Sequence, residues 1–516
     1  MQMQIIDSAF PVLSTMVLVP ALGALLLALP ALRPWARTLG LAVALVELGL
    51  GAWVATLFDY GARSATQLAE THPWIPSFGV SWALGVNTLG LAMLLLAVAL
   101  VPLVLLASWG EVPADRQALF SGLVLALEAF VVVIFAARDV FLFYVAFEAM
   151  LVPVYLLIGR FGGADRRRAA TKFLLYSLAG GLVMLVGVVC LLMVSDHTVH
   201  AYLFENLALT VPHVPVNVGR LLFLSFFIAF AIKAPVVPVH TWLPDTAEQA
   251  TPGTSVLLIG VLDKIGTYGM IVLVLPLFPE ASAWAAPVVL VLAVVSVLYG
   301  ALAAIGQDHL YRLISYTSVS HFGFMVLGIF IGSQAAATGA MVYMVAHGLS
   351  IAGLYLSTGF LARRTGTVRI SELGGMARVT PVLAGTWLVC GLASIALPGL
   401  SGFVPEWLVL TGTFSVSVAL GVAAVLGVVL AALYVLLPYQ RVFTGAPASE
   451  RVGSADLDGR ERLVLVPVVI AMLVLGLAPA FLTTSLDGLA EQVAATMSQA
   501  PADAAADTVT TEGNAK

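Results

Sequence analysis

The sequence FAIKAPVVPVHTWLPD, residues 230–245, places a lysine, Lys233, inside an apolar run and follows it with three prolines. The preceding stretch from Leu221 to Ile232 is apolar enough for a membrane helix. A charge at the centre of such a helix costs about 2.5 to 3.5 kcal/mol on insertion scales. Because Pro235 lacks the N–H that a helix needs, we predict a break just after Lys233 that leaves backbone carbonyls free beside the ammonium. Broken helices at membrane depth are typical of ion pathways.

A lone lysine in a membrane helix also fits two plainer interpretations, a side chain that snorkels to the interface or a structural ion pair. The next apolar stretch, Ser255 to Leu275, carries a second lysine, Lys264, with Asp263 before it and Tyr268 one turn later. Two lysines on successive membrane helices are hard to explain by packing, so the pattern favours an ionisable pathway.

The composition is that of an integral membrane protein. Hydrophobic residues make up 61% of the chain and charged residues 10%, against about 25% charged in a typical soluble domain, and the mean hydropathy is +1.04. Apolar stretches near the ~20 residues that span a bilayer recur along the chain, which predicts one polytopic domain in a lipid bilayer. The net charge is −5 and the basic residues lie in short loops, so the sequence excludes a nucleic-acid surface.

The sequence offers no motif for a cofactor. The two cysteines, Cys190 and Cys390, lie far apart in apolar stretches, without a CxxC or Cys/His spacing. No glycine-rich turn for a nucleotide is visible. We therefore expect this chain to bind no iron–sulfur cluster, haem, zinc or nucleotide, and any redox chemistry to lie in partner subunits.

The apolar stretches predict an all-α polytopic protein with about fourteen transmembrane helices. We place them at 11–30, 38–58, 88–109, 118–136, 139–158, 173–194, 220–240, 252–275, 285–305, 309–331, 334–361, 381–410, 413–440 and 462–485. Most arginines and lysines outside these spans fall in the loops of one side, which the positive-inside rule assigns to the cytoplasm. We therefore expect a multi-pass protein of a bacterial inner membrane with both termini extracytoplasmic.

A weak internal symmetry divides the chain. Pro398, Gly399, Pro405 and Glu406 interrupt a span five helices after the Lys233 helix, and paired interruptions mark inverted-repeat transporters. We predict two inverted five-helix repeats, each with a broken helix. The expected divisions are three N-terminal helices (1–117), the two repeats (118–275 and 285–440), a cytoplasmic loop with helix 14 (441–485) and a disordered extracytoplasmic tail (486–516).

Other ionisable residues lie in the apolar stretches, at Glu47, Glu128, Glu148, His240, His321, His347 and Glu406. Glu148 has no basic neighbour on its own helix, so an ionised form requires a lysine from another helix. For either His321 or His347 alone, packing explains the residue as well as proton transfer does. As members of a series they favour transfer. For Glu47 and Glu128 we favour a structural role.

Three motifs are similar to those of the antiporter-like membrane subunits of respiratory complex I: FEAMLVP at 147–153, AIKAPxxPxHTWLPD at 231–245 and SxSHxG at 318–323. The resemblance covers essentially all fourteen helices. It implies that Glu148 and Lys233 form the input ion pair, and that Lys264 and His321 continue a central hydrophilic axis. It also implies that Glu406 is the last proton-exchanging residue.

Further members of this axis are expected at His240, His347 and Asp263, although Asp263 departs from the apolar residue that usually precedes the lysine. A glutamate at position 406 resembles the M-type members of the family, whereas L- and N-type members usually carry lysine there.

The resemblance implies a proton-translocating membrane-arm subunit of an NADH-quinone oxidoreductase without a redox centre of its own. It places NADH, FMN, iron–sulfur clusters and quinone in partner subunits, and other membrane-arm subunits, including the L- and N-type ones, beside this chain. Two other classes remain open, a subunit of a multisubunit cation/proton antiporter or membrane-bound hydrogenase, and a scaffold that moves nothing. Proton movement that needs sodium but no electron donor would indicate the antiporter, and activity unaffected by neutralising Lys233 would indicate the scaffold.

Overall fold

Long apolar helices form most of the computed structural model, which describes residues 4–62, 65–195, 198, 200–446 and 455–512, with side chains up to residue 498. The helices of the first half are α1 (Val12–Ala28), α2 (Ala36–Leu57), α3 (Thr88–Ser108), α4 (Gln117–Ala136), α5 (Val140–Ala149), α6 (Leu151–Phe161), α7 (Arg166–Val194), α8 (Phe204–Thr210), α9 (Val216–Lys233) and α10 (Trp242–Gln249). Those of the second half are α11 (Pro252–Leu277), α12 (Pro279–Ile305), α13 (Leu310–Phe330), α14 (Gln334–Thr365), α15 (Met376–Val379), α16 (Pro381–Ser394), α17 (Phe403–Val416), α18 (Val418–Phe443), α19 (Gly459–Leu477) and α20 (Ala480–Glu512).

Within the described ranges, eleven helices are long and apolar enough to cross a membrane, and the bent pair formed by α19 and α20 adds a twelfth. The shorter apolar helices are α1, α16 and α17. Counting α1 as one span and α16 with α17 as one interrupted span is consistent with the fourteen expected spans. The all-α polytopic fold class is therefore confirmed.

The predicted break after Lys233 is confirmed, since α9 ends at that residue and α10 begins at Trp242. At the break, backbone groups that have lost their helical partners form hydrogen bonds with groups outside α9. The Trp242 indole N–H donates to the carbonyl of Ile232 at 3.0 Å, and the N–H of Val237 donates to Ser296 Oγ on α12 at 3.0 Å. These bonds fix the break at one place, because buried backbone groups need partners.

A second break lies where the sequence predicted it, between α16 and α17. Two residues of this connection have a left-handed backbone, Ala396 with φ 58° and Gly399 with φ 89°. Glu406 lies in the first turn of α17. The two interrupted helices are consistent with the two predicted inverted repeats.

The helix α11 is widened on both sides of Lys264. Its turns Leu258–Leu262 and Met270–Val274 are π-helical, whereas the six residues Lys264–Gly269 between them are α-helical. Single π turns inside α-helices are frequent at functional sites. No pattern in the sequence indicated them.

A small sheet joins the N-terminal residues to the connection between the second and third spans. It consists of β1 (Ile5–Asp7), β2 (Thr66–Ile75) and β3 (Val80–Val86), with β2 antiparallel to β3. The sheet stabilises the start of α1, because the Glu70 carboxylate accepts hydrogen bonds from the N–H of Leu13 at 2.8 Å and from Ser14 Oγ at 2.5 Å. A carboxylate at this position satisfies orphan N–H groups of the first helical turn.

The C-terminal region corrects two expectations. The last predicted span, 462–485, is bent: α19 ends at Leu477, before Pro479, and α20 then leaves at an angle of 66°. The tail expected to be disordered from residue 486 is helical up to Glu512, and residues 513–516 lie outside the described residues. The many small and polar residues of α20 made its apolar face hard to recognise in the sequence. That face consists of Leu482, Leu486, Ala490, Val493 and Met497, all buried. Their spacing of three or four residues is that of one helix face.

The predicted loop between the last two spans is described only at its ends, since residues 447–454 lie outside the described part. Where the description resumes, Asp458 caps α19. Its side chain accepts from the N–H of Glu461 at 2.8 Å, while the Glu461 carboxylate accepts from the N–H of Asp458 at 3.1 Å. This reciprocal capping box fixes the start of α19.

Candidate functional site

Lys233 is buried at the end of α9, with 1% of its surface exposed. Its ammonium lies over two aromatic rings, 5.5 Å from the centroid of Phe147 and 5.3 Å from that of Phe173. Within the described part of the chain, its ammonium has no hydrogen-bond partner. The aromatic faces and the negative C-terminal end of α9 both favour a cation at this position.

Glu148, on α5, is half-buried, and its carboxylate lies against α7 and interacts electrostatically with Lys233. Its Oε1 atom lies only 1.6 Å from the place where a Cβ on Gly181 would stand, so the missing side chain provides the room for the carboxylate. None of the ion pairs among the described residues joins Glu148 to Lys233. The implied input pair is therefore open in this structure, because Phe147, the neighbour of Glu148, faces the ammonium in its place.

Asp263 directly precedes Lys264 on α11. It is fully buried, and neither of its carboxylate oxygens has a hydrogen-bond partner among the described residues. Its helix meets the end of α9 closely, because a Cβ on Gly266 would stand 2.5 Å from the carbonyl oxygen of Phe230. The carboxylate interacts electrostatically with Lys264 and with Lys233. Asp263 thus links the first lysine to the second.

Lys264 is held by the widened turn and by a histidine of α14. Its Nζ donates to the carbonyl of Ile259, in the first π turn, at 2.5 Å, and lies 2.7 Å from His347 Nδ1. A protonated lysine has no lone pair, so it donates to His347, which then carries its own proton on Nε2. His347 is consequently a direct partner of Lys264.

His321 continues the series on α13. Its Nε2 shares a hydrogen bond of 3.0 Å with the hydroxyl of Tyr434, and its ring centroid lies 5.1 Å from that of His347. Among the described residues, His347 Nε2 has no hydrogen-bond partner, and His321 interacts with the backbone of Ser394. One break in the hydrogen-bonded chain therefore lies between these two rings, and a second lies between His321 and Tyr343.

Glu406 ends the series and is 3% exposed. Its Oε2 accepts a hydrogen bond of 2.8 Å from the hydroxyl of Tyr343, whose ring centroid lies 5.6 Å from that of His321. Because Glu406 stands at the N-terminal end of α17, the positive end of the helix dipole favours its ionised form, whereas burial opposes it.

The structure brings most of the predicted site residues into one buried row, at Lys233, Asp263, Lys264, His347, His321 and Glu406. Sequence reasoning missed the two tyrosines that complete it. Tyr343 lies four residues before His347, and so on the same face of α14, which was an available signal. Tyr434 lies in an apolar stretch of α18 and gave none.

His240 does not join the row. It lies in the connection between α9 and α10 with neither ring nitrogen partnered, and its ring centroid is 5.0 Å from that of Tyr299.

A cluster of ion pairs fixes the position of α10, the helix that follows the first break. Asp245 contacts Lys172 Nζ at 2.6 Å and Arg312 Nη1 at 2.8 Å, and Glu248 contacts the same arginine nitrogen at 2.8 Å. Burial alone would raise the pKa of Asp245, but the hydrogen bonds from Lys172 and Arg312 hold it below its usual range. Since these residues come from α7, α10 and α13, the cluster ties the broken helix to both repeats.

Three comparisons place these observations among known proteins. Residues 137–431 match the sequence model of a family described as NADH:quinone oxidoreductase/Mrp antiporter, TM. A relative from Mycobacterium tuberculosis, named NADH-quinone oxidoreductase subunit M, is 43% identical over 91% of both chains.

Among solved structures, a chain of respiratory complex I from Thermus thermophilus with bound NADH is 34% identical, with a TM-score of 0.85 over 95% of this chain and 100% of that one. A chain of the Mrp complex from Dietzia sp. has a TM-score of 0.82 over 95% of this chain and 97% of that one. At 22% identity, this likeness shows the fold alone.

Proposed function

This chain belongs to the family of membrane subunits shared by NADH:quinone oxidoreductases and Mrp antiporters, and from that premise we propose that it translocates protons as the M-type membrane-arm subunit of an NADH-quinone oxidoreductase. The observation that carries the proposal is the buried row from Lys233 to Glu406. Ionisable side chains inside a membrane are expensive and mark ion or proton pathways. A scaffold would have no use for six of them in sequence.

In the proposed path, the open contact between Glu148 and Lys233 is the input switch. A lysine's proton affinity falls with desolvation and rises when a carboxylate approaches. Closing Glu148 onto Lys233 would hold a proton there, and opening it would favour release toward Asp263 and Lys264. A shift of one pKa unit is about 1.4 kcal/mol, and moving a charge across 100 mV takes about 2.3 kcal/mol, so shifts of a few units suffice.

Beyond Lys264 the side chains themselves carry the path. The pairs Lys264–His347, His321–Tyr434 and Tyr343–Glu406 are hydrogen-bonded within each pair. Histidine and tyrosine both donate and accept, so a proton entering one end of a pair can leave from the other. Glu406 would then exchange the proton with the far side of the membrane.

Electron transfer is assigned to partner subunits, where NADH, FMN, iron–sulfur clusters and quinone would be bound. Two of the relatives named above are called a subunit of NADH-quinone oxidoreductase and a chain of respiratory complex I, and L- and N-type subunits are the proposed neighbours of this chain in a bacterial inner membrane. The arginine-rich loops favour an orientation with both termini extracytoplasmic. The role of this chain is to bind, hold and pass the proton.

The description of the matched family, which includes Mrp antiporters, supports a second candidate, a subunit of a cation/proton antiporter. Inverted vesicles supplied with a sodium gradient but no electron donor distinguish the two functions. An antiporter moves protons under these conditions, whereas a redox-driven pump requires NADH.

The decisive test is Glu406→Gln, measured as NADH-driven proton uptake by inverted vesicles, with NADH–ferricyanide activity as the assembly control. Glutamine keeps the volume and accepts the Tyr343 hydrogen bond but cannot take up a proton. We expect pumping through this subunit to be lost, because a positioned proton-transfer group is typically worth about 10²- to 10⁴-fold in rate. Full pumping by an assembled Glu406→Gln complex would contradict the path.

A matched pair of tyrosines sharpens this test. Tyr434→Phe removes the hydroxyl that bonds His321, whereas Tyr439→Phe changes a tyrosine of the same helix that packs against Trp387 and lies outside the row. Only the first is expected to slow pumping.

A further inference from the structure

Two carboxylic acids outside the proposed path lie buried in the N-terminal helices. Glu47 on α2 is 0% exposed and Glu128 on α4 is 2% exposed. All four of their carboxyl oxygens lack a hydrogen-bond partner, and no ion pair in the described part of the chain includes either residue. The sequence alone favoured a structural role for both residues, but structural polar groups in a core are normally hydrogen-bonded.

The register of the two helices places these acids opposite each other. Since a single span, α3, separates them in the chain, α2 and α4 run in the same direction. They meet closely where a Cβ on Gly40 would stand 3.0 Å from Ser121 Cβ. Glu47 and Glu128 each lie seven residues further on, about 10.5 Å along each helix and on nearly the same face. The two carboxyl groups also interact electrostatically.

Polar side chains extend from Glu47 and Glu128 toward the side of the protein that carries the arginine-rich loops. Gln117 and Ser121 share the face of α4 that carries Glu128, being eleven and seven residues before it. The Gln117 amide donates to Ser108 Oγ at 2.9 Å and to Ser121 Oγ at 3.3 Å. By contrast α1 and α3, which pack against both helices, carry no ionisable residue.

On the other side, Glu128 borders α11. It lines a cavity of about 10 Å³ between α3, α4 and α11, whose other walls are apolar and include Leu257, Val261 and Leu262. Leu262 directly precedes Asp263 and Lys264, which are the ionisable groups of α11. The cavity therefore lies between the pair and the row of the proposed path.

We infer that Glu47 and Glu128 form a second proton-binding site, off the main axis, which holds a proton between two facing carboxyl groups and exchanges it with the axis at α11. Two carboxylates in one buried site cannot both ionise without a cation. Two acids also offer too few oxygens for a sodium ion, so a proton is the ligand that fits. The exchange rests on the proposed function, whereas the binding of the proton does not.

The binding is tested by infrared spectroscopy on the assembled complex. The C=O stretching band of a protonated carboxylic acid shifts in D₂O, and the wild-type spectrum minus that of E47Q/E128Q is expected to show such a band at neutral pH. Glu280→Gln, at an exposed position, is the matched control and should leave the band unchanged. A difference spectrum without the band would overturn the site. If the double variant does not assemble, Glu128→Gln alone serves for the same measurement.

The exchange is tested by protons pumped per NADH oxidised. Glu128→Gln, which alters the residue lining the cavity, is expected to lower this ratio more than Glu47→Gln does. If the infrared band is lost but the number of protons pumped per NADH is unchanged in both variants, the inferred exchange with the axis at α11 is wrong. The proposed path is judged separately, by Glu406→Gln, so the two inferences can fail independently.

Discussion

At the scale of single residues, the position of the Glu148 charge depends on the absence of a side chain at Gly181. The carboxylate occupies the space beside Gly181 that a Cβ would fill, and there it is kept away from Lys233. The side chain of Glu148 can move more readily than the backbone of α7. One methyl group on α7 would therefore displace the Glu148 carboxylate without removing its charge.

Gly181→Ala is accordingly expected to impair NADH-driven pumping while the complex still assembles. A misplacement of about 1 Å at a reacting group can cost about 100-fold in rate. The measurement is proton uptake by inverted vesicles. Gly49→Ala is the control, since a Cβ there meets nothing within 4 Å. Unimpaired pumping by Gly181→Ala would show that the position of Glu148 against α7 has no bearing on the input switch.

The sequence predicted the charged members of the site and missed the two tyrosines. Lys233, Lys264 and Glu406 stand out because a charge in an apolar run demands a reason. Tyr343 and Tyr434 do not stand out, since tyrosine is common in membrane helices. The open state of the Glu148 contact could not be predicted either, because it depends on the orientation of Phe147.

At the scale of the elements, the two broken helices present opposite ends to their ionisable residues. Lys233 stands at the C-terminal end of α9, and Glu406 at the N-terminal end of α17. Each charge thus meets the end of the helix dipole that favours it. Since the stabilising ends exist only because the helices are interrupted, the geometry of each break should determine how well its charge is held.

Trp242→Phe tests how firmly the first break is held. The substitution keeps an aromatic ring but removes the indole N–H that binds the Ile232 carbonyl. A buried carbonyl left without its partner costs about 1–3 kcal/mol, so the thermal unfolding temperature in detergent is expected to fall. Trp53→Phe, at a position 42% exposed, should leave it nearly unchanged. An equal temperature for Trp242→Phe and the wild type would mean that the indole bond does not stabilise the break.

Both breaks were predictable because proline and glycine act locally on the backbone. The remaining elements depend on distant partners. The β2 segment TQLAETHPWI has no regular alternation, with its first half buried and its second half exposed. The π turns of α11 depend on Lys264 bonding the Ile259 carbonyl, and α20 was obscured by its small residues.

At the scale of the whole molecule, α20 braces the ends of several helices. It packs against α3, α11, α12, α13 and α14, and Thr338 donates a hydrogen bond of 3.4 Å to the Asp487 carboxylate. A helix lying across five others resists their separation. It adds stability without entering the buried row.

Leu486→Ala is therefore expected to destabilise the protein by about 2–5 kcal/mol, the usual cost of truncating a buried leucine, because Leu486 is 0% exposed. The measurement is the thermal unfolding of the purified protein in detergent. Glu491→Ala, on the exposed face of the same helix, should cause no comparable change. Equal stability of the two variants would show that α20 is not part of the packed body.

The pairing of the row into Lys264–His347, His321–Tyr434 and Tyr343–Glu406 has a consequence for turnover. When a proton hops along a hydrogen-bonded pair, every bond in that pair ends up pointing the opposite way. The pair must therefore turn back before it can serve again: a tyrosine hydroxyl by rotation about its C–O bond, a histidine by turning its ring. In the proposed relay this reset is part of every turnover, and the close packing around the histidine rings would slow it.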